Sequence, residues 1–103
     1  MKKKIAVRYK VKKGRVAENE KLIVTLFKAL EAASPPGMRY ASFKLEDGVS
    51  FMHLVSFETE NDDNPLGRLP EFKKFTENIA ERCDEPPAAS TLEVMGNYRL
   101  YPS

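Results

Sequence analysis

The stretch LEDGVSFMHLVSFE, residues 45–58, decides the fold. It joins two strand-like runs, residues 38–46 and 49–58, through the dipeptide Asp47-Gly48. An Asp-Gly pair between such runs is a strong hairpin signal, because a type I′ turn needs positive φ at both central positions. The sequence therefore predicts a β-hairpin with a two-residue type I′ turn at Asp47-Gly48.

The predicted turn also sets which residues lie opposite each other. It pairs Glu46 with Val49, and counting outward places Ser42 opposite His53, the only histidine of the chain. Residues directly opposite each other share a face of the sheet. One face then carries Met38, Tyr40, Ser42, Phe51, His53, Val55 and Phe57. The other face carries Ala41, Phe43, Leu45, Met52 and Leu54.

The first part of the chain reads as a strand followed by a helix. Apolar and polar residues alternate over residues 4–12, which predicts a half-buried strand. Apolar residues then recur every three or four positions from Val16 to Ala33, as on one face of an amphipathic helix. The segment SPPG, residues 34–37, ends that helix, because proline cannot continue it.

The last part of the chain reads as a loop, a second helix and a final strand. Residues 59–68 are polar, and Pro70 stands where a first helical turn accepts proline. The apolar spacing predicts a helix over residues 70–83, which the segment DEPP, residues 84–87, ends. Alternation over residues 91–101 predicts the last strand.

The order of these elements is β-α-β-β-α-β. Right-handed crossovers place the third strand between the first and second, and the fourth strand outside the first. The sequence therefore predicts one α+β domain over residues 1–103 with a ferredoxin-like fold. Its four-stranded antiparallel sheet carries both helices on one face.

Both faces of the hairpin are apolar, although two helices cover only one side of a sheet. Phe43, Met52 and Leu54 would form an exposed apolar patch in a monomer, which is uncommon. We therefore expect a homodimer whose two sheets pack face to face.

Composition narrows the class of partner. The net charge is +2 and no broad basic face is evident, so nucleic acid is not an expected partner. The basic start lacks the apolar segment of a secretory signal, and no apolar run approaches the ~20 residues of a membrane span. With a single cysteine, no intramolecular disulfide can form. The expectation is a cytoplasmic protein with no membrane partner.

Three stretches carry a resemblance to a known family: IAVRYKVKKGRVAENEKLI (5–23), the hairpin LEDGVSFMHLVSFE, and LPEFKKFTENIAERC (69–83). The chain resembles the dimeric α/β-barrel superfamily, and within it the antibiotic biosynthesis monooxygenase-like proteins. The resemblance implies two ferredoxin-like subunits whose sheets join into a barrel. It also implies activities of that superfamily, among them cofactor-free oxygenation of polycyclic aromatics and haem degradation.

The sequence departs from two patterns of that superfamily. Monooxygenases of this kind typically use a tryptophan with asparagine and tyrosine in the pocket, and this chain has no tryptophan. Haem-degrading members take an iron-ligating histidine from the second helix, and residues 69–83 contain none.

The face with Tyr40, Ser42 and His53 has the make-up of a small-molecule pocket, with apolar walls and a few polar groups. His53 could act as general base or acid toward a phenol or enol, or it could be a core histidine bonded to Ser42 or Tyr40. Tyr9 could donate a hydrogen bond to a ligand oxygen, or it could be a packed core residue whose hydroxyl is already hydrogen-bonded. Asn97 is a further substrate-binding candidate.

Other groups give weaker signals. Cys83 lies on the apolar stripe of the predicted second helix and reads as a small buried hydrophobe. One histidine and one cysteine 30 residues apart do not supply a metal site, so no metal is expected.

Three hypotheses follow. The first is a homodimer that binds an apolar or aromatic small molecule, with oxygenase-like chemistry that needs no metal, flavin or other cofactor. His53 would accept the substrate's proton, while Tyr40 and Ser42 would orient the substrate. The second is a non-catalytic binding or stress-associated module, and the third is a structural dimerisation domain. A cavity lined by His53 would favour the first two.

Overall fold

The computed structural model describes residues 2–101, which form one four-stranded antiparallel sheet in the order β2-β3-β1-β4 with helices packed against it. This confirms the predicted ferredoxin-like α+β fold and its strand order. The predicted domain also includes residues 1, 102 and 103, which lie outside the described part of the chain. The elements are β1 (Lys2–Val11), α1 (Val16–Ala33), β2 (Met38–Lys44), β3 (Ser50–Glu58), α2 (Pro70–Thr76), α3 (Ile79–Arg82) and β4 (Cys83–Leu92).

The hairpin of β2 and β3 has the predicted register, including Ser42 opposite His53. Its predicted type I′ turn is wrong, because Gly48 has positive φ (78°) while Asp47 does not. The Asp47 carboxylate instead accepts hydrogen bonds from the Val49 and Ser50 N–H groups and from the Ser50 hydroxyl. These bonds lower the pKa of Asp47 to about 2. A side chain thus holds the turn while the register stays as counted.

Helix α1 follows the predicted apolar stripe. Leu26 is fully buried, and Leu22, Ile23 and Leu30 pack against the same core. The helix ends at Ser34, whose left-handed φ of 44° lets its N–H donate to the Leu30 carbonyl. Such a left-handed residue is a common helix end.

The second helix is interrupted, so the prediction of one helix over residues 70–83 is wrong. α2 stops at Glu77, which is extended (ψ 124°), and Asn78 then takes a left-handed φ of 58° before α3 begins. Asn adopts this conformation more readily than most residues. Cys83 is not helical: it is the first residue of β4, although it is buried as expected. Burial raises the pKa of its thiol.

The last strand lies earlier than predicted. Pro86 and Pro87 do not separate a helix from a strand at residues 91–101; they lie inside β4, which covers Cys83–Leu92. Proline lacks an N–H and is tolerated at sheet edges and bulges. Both conditions hold, because β4 is an edge strand and its register against β1 shifts around Lys10. Residues 93–100 are exposed and form no strand.

The sheet has an inner face covered by helices and, within residues 2–101, an outer face without them. The inner face, against which α1 and α2 pack, carries the core, and its buried apolar members are Tyr9, Val11, Leu26, Phe51, Val55, Phe57, Leu66, Phe75 and Cys83. The outer face carries Phe43, which is 46% exposed, with half-buried Met52 and Leu54. Leu100 and Tyr101 border the same outer depression as Leu54. Across the described residues, no helix is long and apolar enough to cross a membrane.

The break between α2 and α3 gives a stability prediction. Asn78→Val should lower the free energy of unfolding by about 1–2 kcal/mol, because a β-branched residue resists left-handed φ. Asn78→Gly should change it little, since glycine accepts this φ. Urea denaturation would measure both.

Glu77→Val is the matched control. Glu77 is next to Asn78 in sequence, but its backbone is extended, a conformation that suits a β-branched residue. If the Val variants at positions 77 and 78 were equally stable, the left-handed residue would not be what limits this segment.

Candidate functional site

A cavity of about 340 Å³ lies between the inner face of the sheet and helices α2 and α3. Its walls are mainly apolar and come from all four strands, both helices and the preceding loop, with exposed Asn64 and Thr76 as polar members. The apolar lining residues are Ile5, Val7, Val55, Phe57, Leu66, Phe72, Phe75, Ile79, Pro87 and Ala89. The volume falls at the lower end of the roughly 300–1,000 Å³ typical of small-molecule sites.

The strand register places three polar side chains together at this cavity. His53 lies on the central strand β3, opposite Ser42 on β2 and Val7 on β1. Tyr40 and Tyr9 are therefore its diagonal neighbours, a spacing that long aromatic side chains can bridge. All three of Tyr9, Tyr40 and His53 line the cavity.

The His53 ring is held by a tyrosine hydroxyl at each nitrogen. Tyr9 Oη lies 2.8 Å from Nε2, and Tyr40 Oη lies 2.7 Å from Nδ1. Ser42 Oγ is also near Nε2, at 3.3 Å. The imidazole is only 3% exposed, and its centroid lies 5.2 Å from that of Phe75. His53 is thus both a hydrogen-bonded core residue and part of a cavity wall.

The hydrogen bonds continue from Tyr9 into the protein. Asn19 Nδ2 donates to Tyr9 Oη at 3.0 Å, and Asn19 Oδ1 accepts from Arg82 Nε at 3.3 Å. Asn19 is fully buried and Arg82 is 2% exposed. We call this series of hydrogen-bonded side chains, Arg82–Asn19–Tyr9–His53–Tyr40, the buried chain.

Asn19 and Arg82 are residues of the candidate functional site that were not predicted from the sequence. Asn19 lies three residues after Val16 and four before Ile23, so it occupies a position of the apolar stripe of α1. A polar residue at such a position is the signal that could have found it. Arg82 follows Ile79 by three residues and carries the analogous signal on the second helix.

Counting donors and acceptors sets the direction of the buried chain. The Tyr9 oxygen accepts from Asn19, so its O–H donates to His53 Nε2. The ring proton then lies on Nδ1 and is donated to the Tyr40 oxygen. The reverse order would leave the Tyr9 hydroxyl hydrogen without an acceptor among residues 2–101, at a cost of about 1–3 kcal/mol.

This direction leaves the Tyr40 O–H as a donor at the cavity. Its one hydrogen-bond partner among the described residues is His53, to which it serves as acceptor. A ligand oxygen in the cavity could therefore accept from Tyr40.

Burial keeps the central groups uncharged at neutral pH. It lowers the pKa of His53 to about 4 and raises the pKa of Tyr9 to about 12, although the bond from Asn19 opposes the second effect. Burial also raises the pKa of Tyr40 well above its ordinary value. The charge of the buried chain is therefore the guanidinium of Arg82.

The structure separates the predicted site residues into two groups. Tyr9, Tyr40 and His53 meet at the cavity. Ser42 contacts His53 but does not line the cavity, and Asn97 lies on the exposed C-terminal segment, where its amide donates to the Tyr101 carbonyl. The roles assigned to these residues stay predictions. Within residues 2–101, no group of three or more His, Cys, Asp or Glu side chains is arranged to hold a metal.

The depressed pKa of His53 gives a pH prediction. Above pH ~6.5 the ring is neutral in both the folded and the unfolded chain. Between pH ~6.5 and ~4 the unfolded chain binds a proton that the buried ring resists, so the free energy of unfolding should fall by roughly 3 kcal/mol. Below pH ~4 this loss should stay constant. Urea denaturation across this range, with His53→Gln as the non-titrating control, would measure it.

A direct check is available because the chain has one histidine. In an NMR titration, its ring signals should report a neutral imidazole at pH 5. A midpoint near 6.5 would contradict the burial of the ring.

Comparison with solved structures finds the same fold in several proteins. Rv0793 from Mycobacterium tuberculosis matches with a TM-score of 0.74 and 12% identity, covering 94% of this chain and 98% of that one. An antibiotic biosynthesis monooxygenase matches with a TM-score of 0.73 and 10% identity, covering 91% and 99%. A mutant of SnoaB, a cofactor-independent oxygenase from Streptomyces nogalater, matches with a TM-score of 0.68 and 15% identity, covering 95% and 97%.

No protein-family model matches the sequence, and no curated protein does. At identities of 10–15%, the structural likenesses show the fold and leave the activity open. The chain has the ferredoxin-like fold of the antibiotic biosynthesis monooxygenase-like proteins, which its three carrier stretches had indicated.

Proposed function

We propose that this protein binds an aromatic small molecule in the cavity beside His53 and oxygenates it without a cofactor. The observation that carries the proposal is a mainly apolar cavity with the Tyr40 hydroxyl as an unused donor. Such walls favour a flat ring system, and a partly buried donor, with the exposed Asn64 amide also at the lining, favours a ligand with a hydroxyl or carbonyl oxygen. The shared fold of SnoaB, a cofactor-independent oxygenase, supports the choice of chemistry.

The proposed chemistry uses the electron-rich ring of the substrate. The phenol or enol releases its proton to water, a hydrogen bond from Tyr40 stabilises the resulting oxyanion, and the conjugated ring carbon then donates electrons to O₂. With a three-ring ketone such as anthrone, that carbon loses two hydrogens and gains one oxygen atom. The second oxygen atom leaves as water, so the substrate supplies all the electrons.

In this scheme Tyr40 contacts the substrate and His53 acts through Tyr40. His53 holds the Tyr40 oxygen in place by donating its Nδ1 proton. The predicted role of His53 as acceptor of the substrate's proton needs the opposite tautomer, in which Nδ1 accepts from Tyr40. That tautomer leaves the Tyr9 hydroxyl hydrogen unpaired.

The alternative is a module that binds the same kind of ligand without turning it over, for example in a stress response. The engagement of both His53 nitrogens favours this alternative, because neither is free to meet a substrate. The cavity between the inner face of the sheet and the helices supports both ligand-binding functions over a purely structural dimerisation domain.

We also propose that two copies associate through the outer face. Phe43 is 46% exposed there, next to half-buried Met52 and Leu54. The C-terminal segment adds Met95, Tyr98 and other apolar side chains that are largely exposed in a single copy. A second sheet packed on this face would remove that apolar surface from water.

Filling the cavity should abolish ligand binding. Ala89 lines the cavity on β4, so Ala89→Phe should weaken binding of 2-naphthol at least about tenfold. Ala88 is also exposed but points to the other side of the strand, so Ala88→Phe is the matched control and should bind normally. Fluorescence titration measures the binding.

Oxygen uptake with anthrone should follow the same pattern in these variants. Binding without uptake would select the non-catalytic alternative. Equal 2-naphthol affinity in both Phe variants would overturn the assignment of the cavity as the binding site.

The dimer should depend on the outer face. The wild-type protein should sediment as a dimer at micromolar concentration, and Phe43→Asp should shift it to monomer because it buries a charge in the interface. Ala32 is exposed on α1, which packs on the inner side of the sheet, so Ala32→Asp should leave the dimer intact. A wild-type monomer under these conditions would sink the proposal.

A further inference from the structure

We infer that the cavity takes its ligand as a conjugated oxyanion, a phenolate or enolate bound at the Tyr40 hydroxyl, because the buried chain aims the charge of Arg82 at that point. This inference rests on the proposed function and names the ionised form and chemical class of the ligand.

The first observation is a buried cation that no carboxylate of residues 2–101 contacts as an ion pair. Arg82 is 2% exposed, and its Nη2 and Nη1 donate to the carbonyls of Phe75 and Glu77 at 2.7 and 3.3 Å. The ion pairs found within residues 2–101 all involve other side chains. The carboxylates within three residues of it in sequence, Glu81, Asp84 and Glu85, are exposed. Glu18 is also exposed and is paired with Arg15, although the charge of Arg82 helps to lower its pKa. Buried charges are usually paired, so this guanidinium favours negative charge nearby.

The second observation is that Nε, the third nitrogen of the Arg82 guanidinium, donates to the buried chain. Every bond of that chain is donated in one direction: Arg82 to Asn19, Asn19 to Tyr9, Tyr9 to His53, and His53 to Tyr40. The donor–acceptor distances along it are 3.3, 3.0, 2.8 and 2.7 Å. Bonds aligned in this way polarise one another, so the last hydroxyl is a strengthened donor. Charged acceptors gain most from such a donor.

The walls of the cavity restrict which anion fits. They are mainly apolar, and an anion with localised charge would lose its hydration there without replacement. A phenolate or enolate spreads its charge over a ring that can pack against Phe72 and Phe75. Without the buried chain, the same walls would prefer the neutral phenol, since burial disfavours the charged form. The ionisation state of a bound phenol therefore reports on the chain.

The probe is 4-nitrophenol, whose phenolate absorbs visible light and whose phenol does not. At a pH equal to its pKa in solution, free probe is half ionised. The bound probe should be mainly phenolate, with about a tenfold preference that corresponds to a pKa lowered by one or more. Its methyl ether, 4-nitroanisole, cannot ionise and should bind more weakly. The Ala89→Phe variant should bind both compounds more weakly than the wild-type protein.

Two variants distinguish the contribution of the Tyr40 hydroxyl from that of the earlier part of the buried chain, which begins at Arg82. Tyr40→Phe removes the final donor and Tyr9→Phe cuts the chain two links earlier, while both keep the aromatic ring. Each should reduce the preference for phenolate by about tenfold. Tyr98→Phe is the matched control, because Tyr98 is 82% exposed on the C-terminal segment, and it should change nothing.

The outcomes distinguish this inference from the proposed function. If the wild-type protein binds both compounds but keeps the phenol neutral, the oxyanion inference is overturned and the proposed function stands. If Tyr40→Phe loses the preference while Tyr9→Phe retains it, Arg82 has no part and the inference is again overturned. If the wild-type protein binds neither compound, the proposed function fails as well.

Discussion

The site depends on one contact, the His53 imidazole held between the hydroxyls of Tyr9 and Tyr40. These three side chains come from three adjacent strands, so their hydrogen bonds can form in one register only. A slip of one residue would turn His53 to the outer face and separate it from both tyrosines. Since unpaired buried polar groups are costly, the contact fixes the sheet as well as the cavity wall.

Local sequence rules predicted the parts of the fold that depend on near neighbours. Counting from Asp47 and Gly48 placed Ser42 opposite His53, and it did so although the turn type was wrong, because register depends on loop length. The same rules misplaced the last strand. They treat Pro86 and Pro87 as breaks, whereas an edge strand with bulges accommodates both, and a sequence does not show in advance which strand is at the edge.

The site was predictable only where it lay on the hairpin and its neighbouring strand. Tyr9, Tyr40 and His53 share a face by strand parity, so they could be chosen together. Asn19 and Arg82 lie 63 residues apart in sequence, and their contact exists only after α1 and the α2–α3 segment have packed. Asn97 was predicted as a site residue but does not reach the cavity. Its segment has an alternating sequence pattern and yet forms no strand.

The two prolines of β4 also bear on how copies of this chain can meet. Prolines supply no N–H donors, and the bulges around Lys10 bend the strand, so this rim is a poor template for an incoming strand. Continuation of the sheet from chain to chain, the usual route to open-ended aggregates, is thereby discouraged on this side. Residues that first look like a defect in a strand act as a guard on its free edge.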